Sequence, residues 1–283
     1  MDVWLLQWRS RGITALLWLP ARIIGLTSGC VIRRSIPYGS GGHQRMDIYT
    51  PRGQLQNPMP VVAVIHGGGW IGGDKTEQTY FCAKLARNGY IVCAINYRLA
   101  PRHQFPAAVE DCAAALAWAR ANIASYHGNP SQIFLAGSSA GAYLAALTAS
   151  HDVSKTIKGL ILYYGVYDLQ TVQAIPFPFL HTYLQAFLGA SRVFERERLV
   201  DASPTTFVSA ALPPVLAIAS ECDTLHPQTL QYIAALQKAG VPCTLFFLNK
   251  AHYPHAPHGF QPLPINKAAR DAFTKVTAFL ARL

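Results

Sequence analysis

The sequence predicts an α/β fold in which a mostly parallel sheet carries helices on both faces. Three observations predict it. From Val31 onward, short apolar runs alternate with longer helical stretches, the rhythm of strand–helix–strand units. Apolar residues make up 51% of the 283 and charged residues only 13%. The charged share is well below the roughly 25% of ordinary soluble domains, so a large core is expected and disorder is not. No internal repeat or low-complexity tract breaks the pattern. Single α/β units of this length are common.

The elements follow in order. Residues 31–37 and 46–49 read as short strands flanked by Gly and Pro. Residues 61–65 form a continuous apolar run rich in valine, as a fully buried strand should, and 91–96 form another. An Ala-rich helix is expected over 105–126, opened by Pro106 and closed by Gly128. A strand at 133–136 precedes a helix at 142–149, and strands follow at 160–164 and 215–219. A helix over 227–239 stops at Gly240, a strand covers 244–248, and an amphipathic helix covers 266–283. The stretch 169–212 delays the next strand, so it reads as an insertion on the sheet's C-terminal edge, where α/β sites open.

Charge and cysteines restrict the function classes. Lys plus Arg minus Asp plus Glu is 24 − 14 = +10. The charges are scattered, without a basic run interleaved with aromatics, so a solvated basic surface is expected and a nucleic-acid partner is not. An anionic membrane is the remaining partner class. The cysteines at 30, 82, 93, 112, 222 and 243 form no CxxC pair and no Cys/His cluster. No metal site and no disulfide framework is expected from them.

Gly137-Ser138-Ser139-Ala140-Gly141 follows one predicted strand and precedes a helix. This is a G-x-S-x-G elbow in the context it requires: a tight turn that pushes the Ser139 hydroxyl outward, with a helix N-terminus behind it. His66-Gly67-Gly68-Gly69-Trp70 closes the strand at 61–65. Such a loop offers free backbone N–H groups, so Gly68 and Gly69, with Ala140, are candidate oxyanion donors. No Gly-Lys-Ser/Thr follows, which argues against a phosphate cradle. His66 reads as a loop anchor rather than a base.

A serine nucleophile needs a base, and the base needs an orienting carboxylate. Asp223 follows the strand at 215–219, 223 − 139 = 84 residues after Ser139. His258 follows the strand at 244–248, 258 − 223 = 35 residues later. The order Ser, Asp, His is the α/β-hydrolase order. Glu221 is a rival acid, and His252 and His255 are rival bases.

Taken together, the strings resemble the hormone-sensitive-lipase-like esterase branch of the α/β-hydrolase superfamily. They are His66–Trp70 with Gly73-Asp74-Lys75, Asn96-Tyr97-Arg98-Leu99-Ala100-Pro101, Phe105–Asp111, Gly137–Gly141, Asp223-Thr224-Leu225 and His258-Gly259-Phe260. Two features depart from the branch: Ser138, where many members carry Asp, and the His-rich tract 252–258. The resemblance covers about residue 35 to the C-terminus. It implies an α/β-hydrolase fold with an eight-stranded, mostly parallel sheet and a helical cap, and a Ser-His-Asp acyl-enzyme mechanism without cofactor. The expected organisation is a cap segment at 1–34 and a hydrolase domain at 35–283 with a cap insertion near 169–212.

The first thirty residues match no motif. They hold Trp4, Trp8 and Trp18 among leucines and arginines, and no apolar run reaches bilayer-spanning length. The order basic, apolar, small imitates a signal peptide, but Arg22 interrupts the apolar part. One or two amphipathic helices broken near Pro20 are expected, covering the mouth of the site and able to touch a membrane surface. The expected compartment is the cytoplasm.

The expected reaction is hydrolysis of short-chain or aryl carboxylic esters, small-molecule substrates. Trp70, Phe177, Phe179, Tyr183 and Phe187 are candidate pocket residues. The alternatives are an arylformamidase or amidase using the same triad, a membrane-associated lipase, and a non-catalytic ligand-binding relative. The last predicts a missing triad member, and Ser139, Asp223 and His258 are all present.

Overall fold

The computed structural model describes Val3, Gln7 and residues 29–53, 58–193, 195–261 and 266–283. Among these, the strands are β1 (Cys30–Pro37), β2 (Arg45–Pro51), β3 (Met59–Ile65), β4 (Ile91–Ile95), β5 (Gly128–Ser138), β6 (Ile157–Tyr163), β7 (Val215–Ser220) and β8 (Cys243–Leu248). They form one eight-stranded sheet in the order β1-β2-β4-β3-β5-β6-β7-β8. β1 and β2 run antiparallel to their neighbours, and β4 through β8 are mutually parallel. The order reverses at β3: the chain steps to β4 on one side, then crosses to β5 on the other. In open α/β sheets such a reversal leaves a crevice beyond the C-terminal strand ends. Here that crevice lies between the ends of β3 and β5, where the glycine-rich loop and Ser139 begin.

Within residues 29–283 the described helices are α1 (Thr79–Arg87), α2 (Ala107–Asn122), α3 (Ala140–Ser150), α4 (Leu180–Leu188), α5 (Arg196–Asp201), α6 (His226–Lys238) and α7 (Lys267–Leu280). Strand periodicity assigns them to faces. Val62 and Val64 of β3 pack with Phe81 and Leu85 of α1 and Phe273 of α7. Val61, Ala63 and Ile65 point the other way, toward α2, α3 and α6. Residues 140–149 of α3 are all buried, which explains its Ala/Leu composition with no polar face.

Several boundaries differ from the sequence reading. The sequence reading lacks the helix α1; its apolar positions 81, 82, 85 and 86 span little more than one turn, and only a 3₁₀ turn at Lys75–Gln78 separates it from the glycine-rich loop. The helix expected over 105–126 begins at Ala107, because Pro106 is its cap. It ends in a 3₁₀ turn at Ile123–Tyr126, capped by His127 in a left-handed conformation (φ 63°), so Gly128 already belongs to β5. The stretch 169–212 holds α4 and α5 between β6 and β7. Most of the expected segment 1–34 lies outside the described residues, and β1 begins within it, at Cys30. No helix among the described residues is long and apolar enough to cross a membrane.

Candidate active site

Ser139 stands between the last residue of β5 and the first of α3, with φ 54° and ψ −122°. A serine in that region is strained by about 1–3 kcal/mol and persists only where its surroundings over-determine it. They do. Its N–H donates to the Tyr163 carbonyl (2.9 Å), and its own carbonyl accepts from Ala142 and Tyr143 (3.0 and 3.2 Å). A Cβ at Gly137 would strike the Gly141 carbonyl, and one at Gly141 the carbonyls of Ile65 and His66. The flanking glycines thus let helix, strand and the loop after β3 meet at the serine.

The Ser139 Oγ lies 2.8 Å from His258 Nε2, and His258 Nδ1 lies 2.7 Å from Asp223 Oδ2. A carboxylate oxygen only accepts, so Nδ1 carries the ring proton and Nε2 is left to accept from the serine hydroxyl. The other Asp223 oxygen accepts from Leu225 N (2.9 Å), which fixes the carboxylate plane. Tyr164 and Phe177 meet the imidazole edge-on, each with a centroid distance of 4.9 Å. These contacts restrict the ring to the plane joining its two partners.

Glu221 and His252 are engaged elsewhere. Glu221 is exposed and accepts from Lys250 N (2.7 Å). His252 is exposed and bonds Asn249, and His255 is exposed. None of the three hydrogen-bonds Ser139, Asp223 or His258 through its side chain.

Gly68 (φ 111°), Gly69 (φ 59°) and Ala140 line the same cavity as Ser139. At Gly68 a Cβ would collide with the Gly72 carbonyl, so the turn requires glycine. The loop rests on His66, which is fully buried. Its Nδ1–H donates to the Gly67 carbonyl (2.7 Å), and its ring stacks on Tyr97 at 4.3 Å. Burial holds the His66 pKa below its ordinary value, which favours the neutral ring. Tyr97 in turn donates its hydroxyl to the His66 carbonyl (3.1 Å). Asn96 bonds both Asp74 and Lys75 N (2.6 Å each). Arg98 forms a fork with buried Asp111. The Asn96–Arg98 and Gly73–Lys75 strings therefore shape the loop that would hold the oxyanion.

A cavity of about 520 Å³ opens over Ser139 and His258, within the usual range for small-molecule sites. Trp70, Phe177, Phe179 and Tyr183 line it. Phe187 does not; it lies behind the wall, stacked on Trp70 at 4.5 Å. Its place on α4 turns it inward, which an aromatic count cannot reveal. Tyr164, Leu180 and Leu225 line the cavity and escaped the sequence reading. Tyr164 had a signal: it ends the run predicted as a strand on the Ser139 edge. Among the described residues no group of three or more His, Cys, Asp or Glu could hold a metal ion.

A family profile described as alpha/beta hydrolase fold matches residues 62–262. Esterase LipQ of Mycobacterium tuberculosis is 33% identical over 242 residues, covering 80% of this chain and 56% of LipQ. The probable carboxylic ester hydrolase LipM of the same organism is 30% identical over 281 residues, covering 93% of this chain and 64% of LipM. The chain thus spans less than two thirds of the length of these relatives. Among solved structures, a bacterial heroin esterase superposes with a TM-score of 0.84 at 27% identity, covering 99% of this chain and 92% of that one.

Proposed function

From the premise that this chain belongs to the alpha/beta hydrolase fold family, in its hormone-sensitive-lipase-like esterase branch, we propose that it hydrolyses carboxylic esters through Ser139, His258 and Asp223. The observation that carries the reading is the unbroken line from Ser139 Oγ through His258 to Asp223, at 2.8 and 2.7 Å. It opens into an apolar-walled cavity beside a glycine loop.

Chemistry follows from that line. Ser139 Oγ attacks the ester carbonyl carbon while its proton passes to His258 Nε2. The carbonyl oxygen becomes an oxyanion facing the N–H groups of Gly68, Gly69 and Ala140; each such donor contributes on the order of 10²–10³ in rate. Asp223 stabilises the imidazolium. The tetrahedral centre collapses, the C–O bond to the alcohol breaks, and His258 gives its proton to the departing oxygen. Water then repeats the sequence on the acyl-serine, releasing the acid and restoring Ser139.

The substrate class is a short-chain or aryl ester. Supporting this are the cavity size and its aromatic walls, Phe177, Phe179 and Tyr183. In this reading the stretch 169–212 is the cap over the cavity. The test is a series of p-nitrophenyl esters of increasing acyl length, offered to the wild type and to Ser139→Ala. The highest kcat/KM is expected on short acyl chains. The variant should lose at least about 10⁴-fold in kcat, as serine removal does in such triads. Full activity in Ser139→Ala overturns the mechanism; best turnover on long chains overturns the substrate class.

A further inference from the structure

Gln7 is far in sequence from the site, yet its side chain reaches the back of the oxyanion loop. Its Nε2 donates to the Ile71 carbonyl (3.2 Å) and to the Ala100 carbonyl (2.9 Å). An amide nitrogen has two protons, and here both have an acceptor. The two carbonyls belong to the segments that form and brace the loop. Ile71 N and Gly72 N both donate to the Gly68 carbonyl (3.2 and 3.1 Å), closing the turn that aims Gly68 and Gly69. Ala100 N donates to the Trp70 carbonyl (2.9 Å). Gln7 thus closes a ring of hydrogen bonds that runs from the glycine turn through Trp70 to Ala100. Val3, four positions earlier, packs against the cluster of Ile71, Ala100 and Ala186, the spacing that sets two side chains on one helix face. Both carbonyl-bearing residues are buried, so water is a poor substitute for the amide.

We infer that Gln7 is a positioning residue for the oxyanion hole: it holds the Gly68–Gly72 turn in register with Ser139. The inference rests on the ester-hydrolase reading above. Gln7 touches neither substrate nor triad, so it acts on the alignment of backbone donors. Misplacing such groups by about 1 Å costs on the order of 10²-fold in rate. Loss of one brace among several should cost less, about tenfold.

The test compares Gln7→Met, which keeps length and removes both donors, with Gln7→Lys, whose ammonium can donate to both carbonyls. Four quantities are read: kcat and KM on p-nitrophenyl acetate, inhibition by phenylboronic acid, and the rate at which a fluorophosphonate labels Ser139. In that labelling an Oγ–P bond forms, fluoride leaves, and the serine proton passes to His258. Boronate adduct and phosphonylation both place an oxygen in the oxyanion hole, whereas KM for the neutral ester does not depend on it. Gln7→Met should lower kcat and labelling about tenfold, weaken boronate binding in parallel and leave KM within about twofold. The acid limb of the pH–rate profile should not move, and Gln7→Lys should recover most of the loss. Unchanged kcat and boronate affinity in Gln7→Met overturns the inference, as does a rise in KM at constant kcat. If Gln7→Met does not fold, Gln7→Lys is set against Gln7→Glu, which turns a carboxylate toward the two carbonyls; equal boronate affinity in these two overturns it as well. A wild type that neither hydrolyses esters nor is labelled at Ser139 refutes the enzyme reading instead. A wild type labelled but slow on esters still reports the positioning through its labelling rate.

Discussion

Replacing Asp223 with Asn exchanges one oxygen for an NH₂ group and keeps the shape of the side chain. In the native site Oδ1 accepts from Leu225 N (2.9 Å) and Oδ2 accepts from His258 Nδ1 (2.7 Å). Asn has a single acceptor oxygen for these two donors. The Leu225 amide cannot give up its proton, whereas an imidazole can move its proton from one nitrogen to the other. The Asn oxygen therefore turns to Leu225 and its NH₂ turns to His258. Nδ1 must then accept, and the ring proton moves to Nε2, facing Ser139 Oγ at 2.8 Å. The base that should take the serine proton now carries one. The Asp223 side chain is only 1% exposed, so water cannot restore the native tautomer. A wrong-tautomer substitution of this kind lowers kcat by about 10⁴, or about 5.4 kcal/mol at roughly 1.36 kcal/mol per factor of ten. The assay is kcat for p-nitrophenyl acetate near neutral pH, with thermal melting as the check on folding. Adding Ser139→Ala should cost nothing beyond Ser139→Ala alone, because the residues act as a unit. A folded Asp223→Asn enzyme within tenfold of wild type would refute the tautomer reasoning.

Two further outcomes follow from the braces beneath the loop. Buried Asp111 accepts from Arg98 N (2.7 Å), Arg98 Nε (2.9 Å) and Gln44 Nε2 (2.7 Å). Breaking a buried pair from one side costs about 3–5 kcal/mol; the Arg98 side chain is 28% exposed, so the lower end, about 3 kcal/mol, is expected for Asp111→Ala. Denaturant titration measures it, and a loss under about 1 kcal/mol contradicts the buried-pair account. His66 sets a pH dependence. Its folded pKa lies below the ordinary 6.5, so below about pH 6.5 the unfolded chain binds a proton that the folded chain refuses. Stability from this group is present above the unfolded pKa and is lost as pH falls toward the folded one, by up to about 1.4 kcal/mol per pH unit. Unfolding free energies of wild type and His66→Asn across that window should diverge, the wild type being steeper; parallel curves would dismiss the effect.

The parts of the site legible in the sequence were those fixed by local pattern. Continuous apolar runs marked the central strands, and the glycines around Ser139 and after His66 marked turns that no side chain could occupy. The three-part order Ser139, Asp223, His258 came from where each falls after a strand. Local pattern was blind elsewhere. It missed α1, whose nine residues carry too short a repeat beside a loop. It placed Phe187 in the pocket, because an aromatic on a helix reads the same whether it faces ligand or core.

By itself, then, the sequence determined the alternation of strands and helices, the elbow at Ser139 and a short roster of acids and bases. Each of these depends on residues within a few positions of one another. Only the tertiary structure decided which members of that roster meet. His258 lies 119 residues from Ser139 and 35 from Asp223, and Glu221, two residues from Asp223, is turned instead to Lys250 N. Gln7 meets carbonyls 64 and 93 residues away. Side-chain direction at a strand end, and contacts across such separations, follow from how the sheet twists and what packs over it. A sequence states those interactions only through the whole fold.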